Sequence, residues 1–93
     1  MPENAITVEL KIINALGLHA RAATLFVQTA SNFDSEITVE KDGTEVNGKS
    51  LMNLLMLCAG FGTTINISAC GSDSNEAVRA LSKLVNNRFD EED

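Results

Sequence analysis

The chain has 93 residues, of which 44% are hydrophobic, and we expect one domain over residues 1–93 with a single core. Thirteen acidic against seven basic side chains give a net charge of -6 without a basic stripe, which argues against nucleic acid and anionic membranes as partners. Residues 1–4 have neither a positive start nor a long apolar segment, so we expect a cytoplasmic protein without membrane insertion.

The cysteines and the single histidine bear on metal binding. Cys58 and Cys70 are twelve positions apart and belong to no paired ligand motif. We expect both to be small buried apolar side chains without a disulfide. With one histidine and no close cysteine pair, the usual zinc ligands are missing, and we assign neither a metal nor a cofactor.

The first strand and the first helix are marked by a change of hydrophobic period. Ile6–Ile12 alternates apolar and polar residues, which predicts a half-buried strand. Residues 13–17 break the alternation, and Ala20–Phe33 then carries apolar residues at three-to-four-residue spacing. We therefore predict an amphipathic helix that ends near Asn32, where turn-forming residues follow.

A hairpin is predicted after this helix. Glu36–Lys41 alternates again and runs into Asp42-Gly43, a pair that favours a type I′ turn because both central residues of that turn need a positive φ. Thr44–Asn47 is therefore expected to return as the antiparallel partner strand.

A second helix is predicted over Leu51–Leu57, with Ser50 as its N-cap. This segment is apolar on more than one side, so a single buried face does not account for it. One interpretation leaves Leu51, Met52 and Leu55 or their neighbours exposed as a partner-binding surface. The other is an ordinary core helix, and periodicity does not decide between them.

The last third of the chain predicts a fourth strand and a third helix. Thr63–Cys70 alternates, and Asp73 and Glu76 have the spacing of a capping box at the start of the helix. The apolar stripe of the helix consists of Ala77, Val78, Leu81, Leu84 and Val85. We expect the acidic end, residues 90–93, to be a solvated and disordered tail, with docking as the lesser alternative.

The predicted order is strand, helix, strand, strand, helix, strand, helix. This order gives an α+β fold in which helices cover one face of a single antiparallel sheet. It also allows a ferredoxin-like fold with an added terminal helix, and the pattern alone leaves both open.

The stretch Gly17-Leu18-His19-Ala20-Arg21 places the histidine where a loop becomes a helix. The first amides of a helix have no intrahelical partner and lie at the positive end of its dipole, so an anion beside His19 would meet donors already in place. Arg21 adds a cation whose planar fork suits phosphate oxygens. A surface or packing histidine is the alternative, but the combination of nucleophile, cation and amides indicates phosphoryl chemistry.

These five residues resemble the phosphorylation-site signature of the HPr phosphocarriers of the bacterial phosphoenolpyruvate-dependent phosphotransferase system, nitrogen-branch relatives included. The resemblance spans Val8 to Phe89 and implies the family's open-faced two-layer sandwich, with four strands and three helices on one face. It implies that His19 accepts a phosphoryl group on Nδ1 from phospho-enzyme I, and that Arg21 stabilises its oxygens. The group then passes to an EIIA-type acceptor of the sugar or nitrogen branch. Such a protein is a carrier and not an enzyme, and we expect a monomer.

A second stretch, Asn47-Gly48-Lys49-Ser50-Leu51-Met52, resembles the family's serine site, which an HPr kinase/phosphorylase modifies in organisms that have this enzyme. It implies that Ser50 is regulatory, although a helix cap explains the residue as well. The resemblance implies a surface for enzyme I and the acceptors, formed by Ala20, Thr24, Leu51, Met52 and Leu55. One departure is Ala22, where the family usually has proline, and we expect the chemistry to survive with altered phosphate geometry.

Two other functions compete with the carrier. An HPr-like regulatory module would act on another protein through Ser50 and the apolar helix, with His19 used rarely or not at all. A small enzyme with His19 as general base has no paired carboxylate or nucleophile near the histidine in sequence. The presence of the histidine favours the carrier.

Overall fold

A computed structural model describes residues 5–91 of the chain. The strands are β1 (Ala5–Lys11), β2 (Glu36–Lys41), β3 (Thr44–Asn47) and β4 (Thr64–Cys70). The helices are α1 (Ala20–Ala30), α2 (Leu51–Met56) and α3 (Ser74–Asn86), and a 3₁₀ turn follows over Arg88–Asp90. The elements therefore occur in the predicted order. In this part of the chain, no helix has the length and apolar character that crossing a membrane requires.

The strands form one antiparallel sheet in the order β1-β4-β2-β3. Ile67 of β4 is paired with Val8 on one side and with Val39 on the other. α3 packs against β1 and β4, and α1 contacts both other helices, so the helices form a second layer. The opposite face of the sheet is open and polar, as the exposed hydrogen bond of 2.8 Å between the hydroxyls of Thr7 and Ser68 shows. The predicted open-faced α+β sandwich is confirmed.

The core lies between the sheet and the helices. Phe26 of α1, Ile67 of β4 and Leu81 of α3 are each 0% exposed. The alternation that predicted the strands reflects this layer, because every second residue of a strand points to the same face. Phe89, beyond α3, is also fully buried and extends the core toward the C-terminal end of the chain.

The predicted hairpin is confirmed. Asp42 and Gly43 both have a positive φ, 52° and 87°, and Lys41 pairs with Thr44 across the turn. The first helix is slightly shorter than predicted. The N–H of Ser31 still bonds to the Val27 carbonyl four residues back, but those of Asn32 and Phe33 bond three residues back, as in a turn.

The prediction that Asp73 forms a capping box at the start of α3 is wrong. Asp73 precedes the helix, but its side chain makes no capping hydrogen bond. Its carboxylate instead accepts from the N–H of Asp34 at 2.8 Å and from the N–H and Oγ of Ser35 at 3.0 and 2.5 Å. The loop before β2 thus offers three converging donors, and these bonds, above all the one from the Ser35 hydroxyl, lower the pKa of Asp73.

The prediction that both cysteines are buried is also wrong. Cys58 is exposed and Cys70 is half-buried, and both are free thiols. Cys58 lies in the turn after α2 with a positive φ of 52°. Cys70 ends β4 directly after the buried Ala69, so strand alternation directs it to the open face of the sheet.

Candidate functional site

His19 is the N-cap of α1, with the extended backbone (φ -79°, ψ -178°) that this position requires. Its carbonyl accepts the first helical hydrogen bond, from the N–H of Ala23 at 2.8 Å. Its side chain makes no capping hydrogen bond and is 29% exposed. The predicted position is confirmed: the imidazole lies at the surface beside the first amides of the helix.

The loop before His19 is held against the loop between α2 and β4. Gly17 has a φ of +68°, and a Cβ there would lie 2.7 Å from the Cα of Gly60 and 2.8 Å from the carbonyl oxygen of Ala59. The N–H of Leu18 donates to that carbonyl at 2.8 Å. Glycine is therefore needed at position 17 for both its backbone and its size, and the contact fixes where the chain enters α1.

A carboxylate from the far end of the chain contacts the histidine. Nε2 of His19 lies 2.5 Å from Oε2 of Glu91, whose side chain is 11% exposed. Asn14, which is fully buried, donates from Nδ2 to Oε1 of Glu91 at 3.1 Å and to the Gly17 carbonyl at 2.7 Å. Both oxygens of Glu91 are therefore engaged, and the expectation of a solvated tail is wrong for this residue.

Glu91 reaches His19 through a left-handed turn that follows α3. Arg88, Phe89 and Asp90 all have positive φ, 58°, 52° and 61°. The buried ring of Phe89 anchors this unusual turn. Sequence reasoning missed Glu91 and Asn14, because the charge of residues 90–93 suggested a solvated end. The only signal that this end packs against the domain was the aromatic residue directly before it, Phe89. Residues 92 and 93 of the predicted tail lie outside the described residues.

Arg21 contacts the same carboxylate oxygen as His19 and so belongs to the same site. Its Nη1 is 3.6 Å from Oε2 of Glu91 and 3.4 Å from the carbonyl oxygen of Phe89, and its side chain is 56% exposed. Such long contacts at an exposed group contribute little to stability. The guanidinium is therefore exposed and held only by long contacts.

The other predicted residues of α1 lie in its first turns. Ala20 and Thr24 are exposed one turn apart on the same helix face, and the Thr24 hydroxyl donates to the Ala20 carbonyl at 2.7 Å. Ala22 is fully buried. Because it is not proline, it keeps an N–H in the turn that follows His19.

Ser50 is the N-cap of α2, as predicted. Its Oγ accepts from the backbone N–H of Asn53 at 3.2 Å and from the side-chain nitrogen of the same residue at 3.0 Å. The hydroxyl is therefore used in holding the start of the helix.

The helix after Ser50 exposes a set of apolar side chains that we call the α2 patch. It consists of Leu51, Met52 and Met56, which are 38%, 70% and 74% exposed. Leu54 is fully buried, and Leu55 is half-buried against the core. The exposed-surface interpretation therefore holds for Leu51 and Met52 and only partly for Leu55. Sequence reasoning did not name Met56, whose exposure depends on how α2 lies on the sheet.

Known proteins resemble this chain over most of its length. The sequence model of the PTS HPr component phosphorylation site matches residues 6–87. Phosphocarrier protein HPr of Neisseria meningitidis serogroup B is 54% identical over 82 residues, which cover 88% of this chain and 92% of the relative. HPr-like protein Crh of Halalkalibacterium halodurans is 49% identical over 85 residues, 91% of this chain and 96% of the relative.

Solved structures agree with the fold. HPr-C-His from Thermoanaerobacter tengcongensis has a TM-score of 0.91 at 48% identity and covers 94% of this chain and 98% of its own. This match selects the sandwich over the ferredoxin-like alternative. An HPr dimer from the same organism matches with a TM-score of 0.76 at 49% identity, over 90% of this chain and 97% of its own, so the expectation of a monomer is not confirmed. The chain belongs to the HPr family of phosphocarrier proteins of the phosphotransferase system.

Proposed function

We propose that this chain is a phosphocarrier in which Nδ1 of His19 accepts a phosphoryl group from phospho-enzyme I and gives it to an EIIA-type acceptor. The observation that carries the proposal is the placement of His19, a partly exposed imidazole at the N-cap of α1, in a chain that matches the HPr phosphorylation-site family. Phosphoenolpyruvate is the original donor, and the acceptor belongs to the sugar or the nitrogen branch.

The surroundings of His19 suit phosphoryl transfer, which depends on alignment and charge stabilisation. The first amides of α1 are donors for phosphoryl oxygens, and no side-chain cap covers them. Arg21, whose guanidinium lies 3.6 Å from Oε2 of Glu91, adds a cation that would bind the same phosphoryl oxygens. A site at the surface also allows a second protein to remove the group.

The α2 patch, with Ala20, Thr24 and Leu55, is the proposed docking surface for enzyme I and the acceptor. α1 and α2 pack against each other, so the patch and His19 belong to neighbouring helices. In the same proposal the carrier is one domain that acts in the cytoplasm and has neither a cofactor nor a turnover reaction of its own.

Ser50 supports a second function. In it, an HPr kinase/phosphorylase phosphorylates Ser50, and the chain acts as a regulatory binding module. The position of Ser50 next to the α2 patch favours it. A phosphate there would place negative charge beside Leu51 and Met52 and weaken apolar docking.

The carrier is tested by incubating the purified chain with phosphoenolpyruvate, Mg²⁺ and an enzyme I shown to be active on another HPr. Intact mass and acid lability are then measured. We expect one acid-labile phosphate on the wild-type chain and on Ser50→Ala, and none on His19→Ala. If the wild-type chain remains unmodified while the other HPr is phosphorylated, the carrier is excluded and the regulatory module remains.

A further inference from the structure

We propose that Glu91 is a positioning residue for phosphoryl transfer at His19. It holds the ring proton on Nε2, so that Nδ1 presents its lone pair, and it balances the charge that the ring gains when Nδ1 is phosphorylated. This inference rests on the proposed function and adds a role for the C-terminal turn, residues 88–91.

The contact between the two side chains determines which nitrogen carries the proton. An ionised carboxylate only accepts hydrogen bonds, so the 2.5 Å contact between Nε2 of His19 and Oε2 of Glu91 needs the proton on Nε2. A neutral imidazole has a single N–H, and its other nitrogen then carries the lone pair. Among the described residues nothing forms a hydrogen bond with Nδ1 of His19, which leaves that nitrogen open to attack a phosphorus atom.

Asn14 holds Glu91 in turn. Its Nδ2 faces two acceptors, the carbonyl oxygen of Gly17 and Oε1 of Glu91, so the amide cannot be reversed without placing oxygen against oxygen. In this orientation Oδ1 of Asn14 is buried and has no hydrogen-bond partner within residues 5–91. A fully buried amide that leaves one atom unpaired while it orients a carboxylate is typical of functional support and not of core packing.

This arrangement determines where charge appears on the ring during phosphoryl transfer. Nδ1 of His19 attacks the phosphorus of the donor phosphohistidine, and the new N–P bond forms as the donor's N–P bond breaks. The proton stays on Nε2, so the ring becomes an imidazolium that faces the Glu91 carboxylate, as imidazolium faces aspartate in a catalytic triad. In onward transfer the Nδ1–P bond breaks, its electron pair returns to the ring, and the ring is neutral again. No proton moves in either step.

The variant Glu91→Gln tests the role of the carboxylate charge. It removes the charge and keeps a side-chain oxygen that can accept the hydrogen bond from Nε2 of His19. Charge-assisted hydrogen bonds are about twice as strong as neutral ones, so we expect acceptance, in which the ring gains its charge, to slow by about tenfold. Onward transfer, in which the ring loses that charge, should not slow. Asp90→Asn is the matched control, because it removes an exposed acidic charge one residue away and asparagine tolerates the positive φ of this position. Single-turnover transfer is followed by rapid quenching and intact mass, after circular dichroism has shown that each variant is folded.

A spectroscopic measurement separates positioning from a merely structural role. The chain has one histidine, so ¹⁵N-histidine labelling gives a single ring to observe. We expect a slowly exchanging, downfield Nε2–H signal in the wild-type chain and in Asp90→Asn, before and after phosphorylation, and its loss in Glu91→Ala. A ring proton on Nδ1 in the unmodified chain, or acceptance by Glu91→Gln at the wild-type rate, would overturn the inference while His19 remained a phosphate acceptor. A wild-type chain that accepts no phosphate would overturn the proposed function and this inference together.

Discussion

Gly17 is the residue that decides how the loop brings His19 to the start of α1. It combines a positive φ with a backbone contact at the Gly60 loop that leaves no space for a Cβ. Gly43 has a positive φ as well, but open space surrounds it. These two glycines therefore separate the effect of backbone conformation from the effect of close packing.

We expect Gly17→Ala to lower the free energy of unfolding by about 2–3 kcal/mol, and Gly43→Ala by about 1 kcal/mol. Alanine at Gly43 adds only the strain of the left-handed backbone, whereas at Gly17 it also forces the two loops apart. Urea unfolding followed by circular dichroism measures both, since the chain has neither Trp nor Tyr for fluorescence. Equal losses would show that the contact between the loops is not tight.

Asp73 gives the stability of this protein a predictable dependence on pH. Its hydrogen bonds with Ser35 and Asp34 lower its pKa below the ordinary value of 3.8, so the unfolded chain takes up this proton more readily than the folded chain. The stabilisation is therefore fully present above pH 3.8 and is lost as the pH falls through the lower pKa of the folded state.

Asp73→Asn is accordingly expected to be less stable than the wild-type chain at pH 7, with a difference that shrinks below about pH 4. Urea midpoints measured from pH 7 down to about pH 2 test this. A difference that stays constant over the whole range would mean that the carboxylate charge is not what Ser35 and Asp34 stabilise.

At the scale of the elements, α2 combines a structural cap with the proposed docking surface, and Ser50 forms the cap directly beside that surface. Ser50→Asp keeps a capping oxygen and adds charge beside the α2 patch, so we expect near wild-type stability and weaker binding to enzyme I. Ser50→Ala loses the cap, about 1 kcal/mol of stability, and leaves the patch apolar. Calorimetric titration with enzyme I and urea unfolding measure the two effects. Unchanged affinity in Ser50→Asp would remove the α2 patch from the docking surface.

The C-terminal turn is the element that connects α3 to the histidine. Phe89 is fully buried and anchors three residues of positive φ, so Phe89→Ala is expected to lower the free energy of unfolding by about 3–5 kcal/mol. It should also slow acceptance of the phosphoryl group, because Glu91 loses the anchor that brings it to His19. Stability and single-turnover rate are measured on the same preparation. A Phe89→Ala chain with wild-type stability would show that the turn does not rest on this ring.

On the scale of the whole molecule, the features predicted from sequence are those encoded by neighbouring residues. The hydrophobic periodicity and the turn- and cap-forming residues predicted the strands, the Asp42-Gly43 hairpin, the Ser50 cap and the position of His19 at the start of α1. The site itself was half predicted, since His19 and Arg21 are close in sequence.

The missed features depend on contacts that join distant residues. His19 and Glu91 are 72 positions apart and meet only when the sheet and helices have closed and Phe89 is buried. Asp73 likewise leaves its own helix to bind residues 34 and 35. Patterns among neighbouring residues do not predict such pairings. From its sequence neighbours alone, Asp73 was expected to cap its own helix and Glu91 was expected to be solvated.

Onward transfer tests the carrier role most directly. The chain is phosphorylated with enzyme I and phosphoenolpyruvate, separated from enzyme I, and mixed with an equal amount of a sugar-branch or a nitrogen-branch EIIA-type acceptor. Intact masses of both proteins are followed with time. We predict that the phosphate leaves this chain and appears on at least one acceptor, and that the His19→Ala chain delivers none. A phosphate that remains on the chain with both acceptors, or leaves it only as inorganic phosphate, would contradict the carrier role.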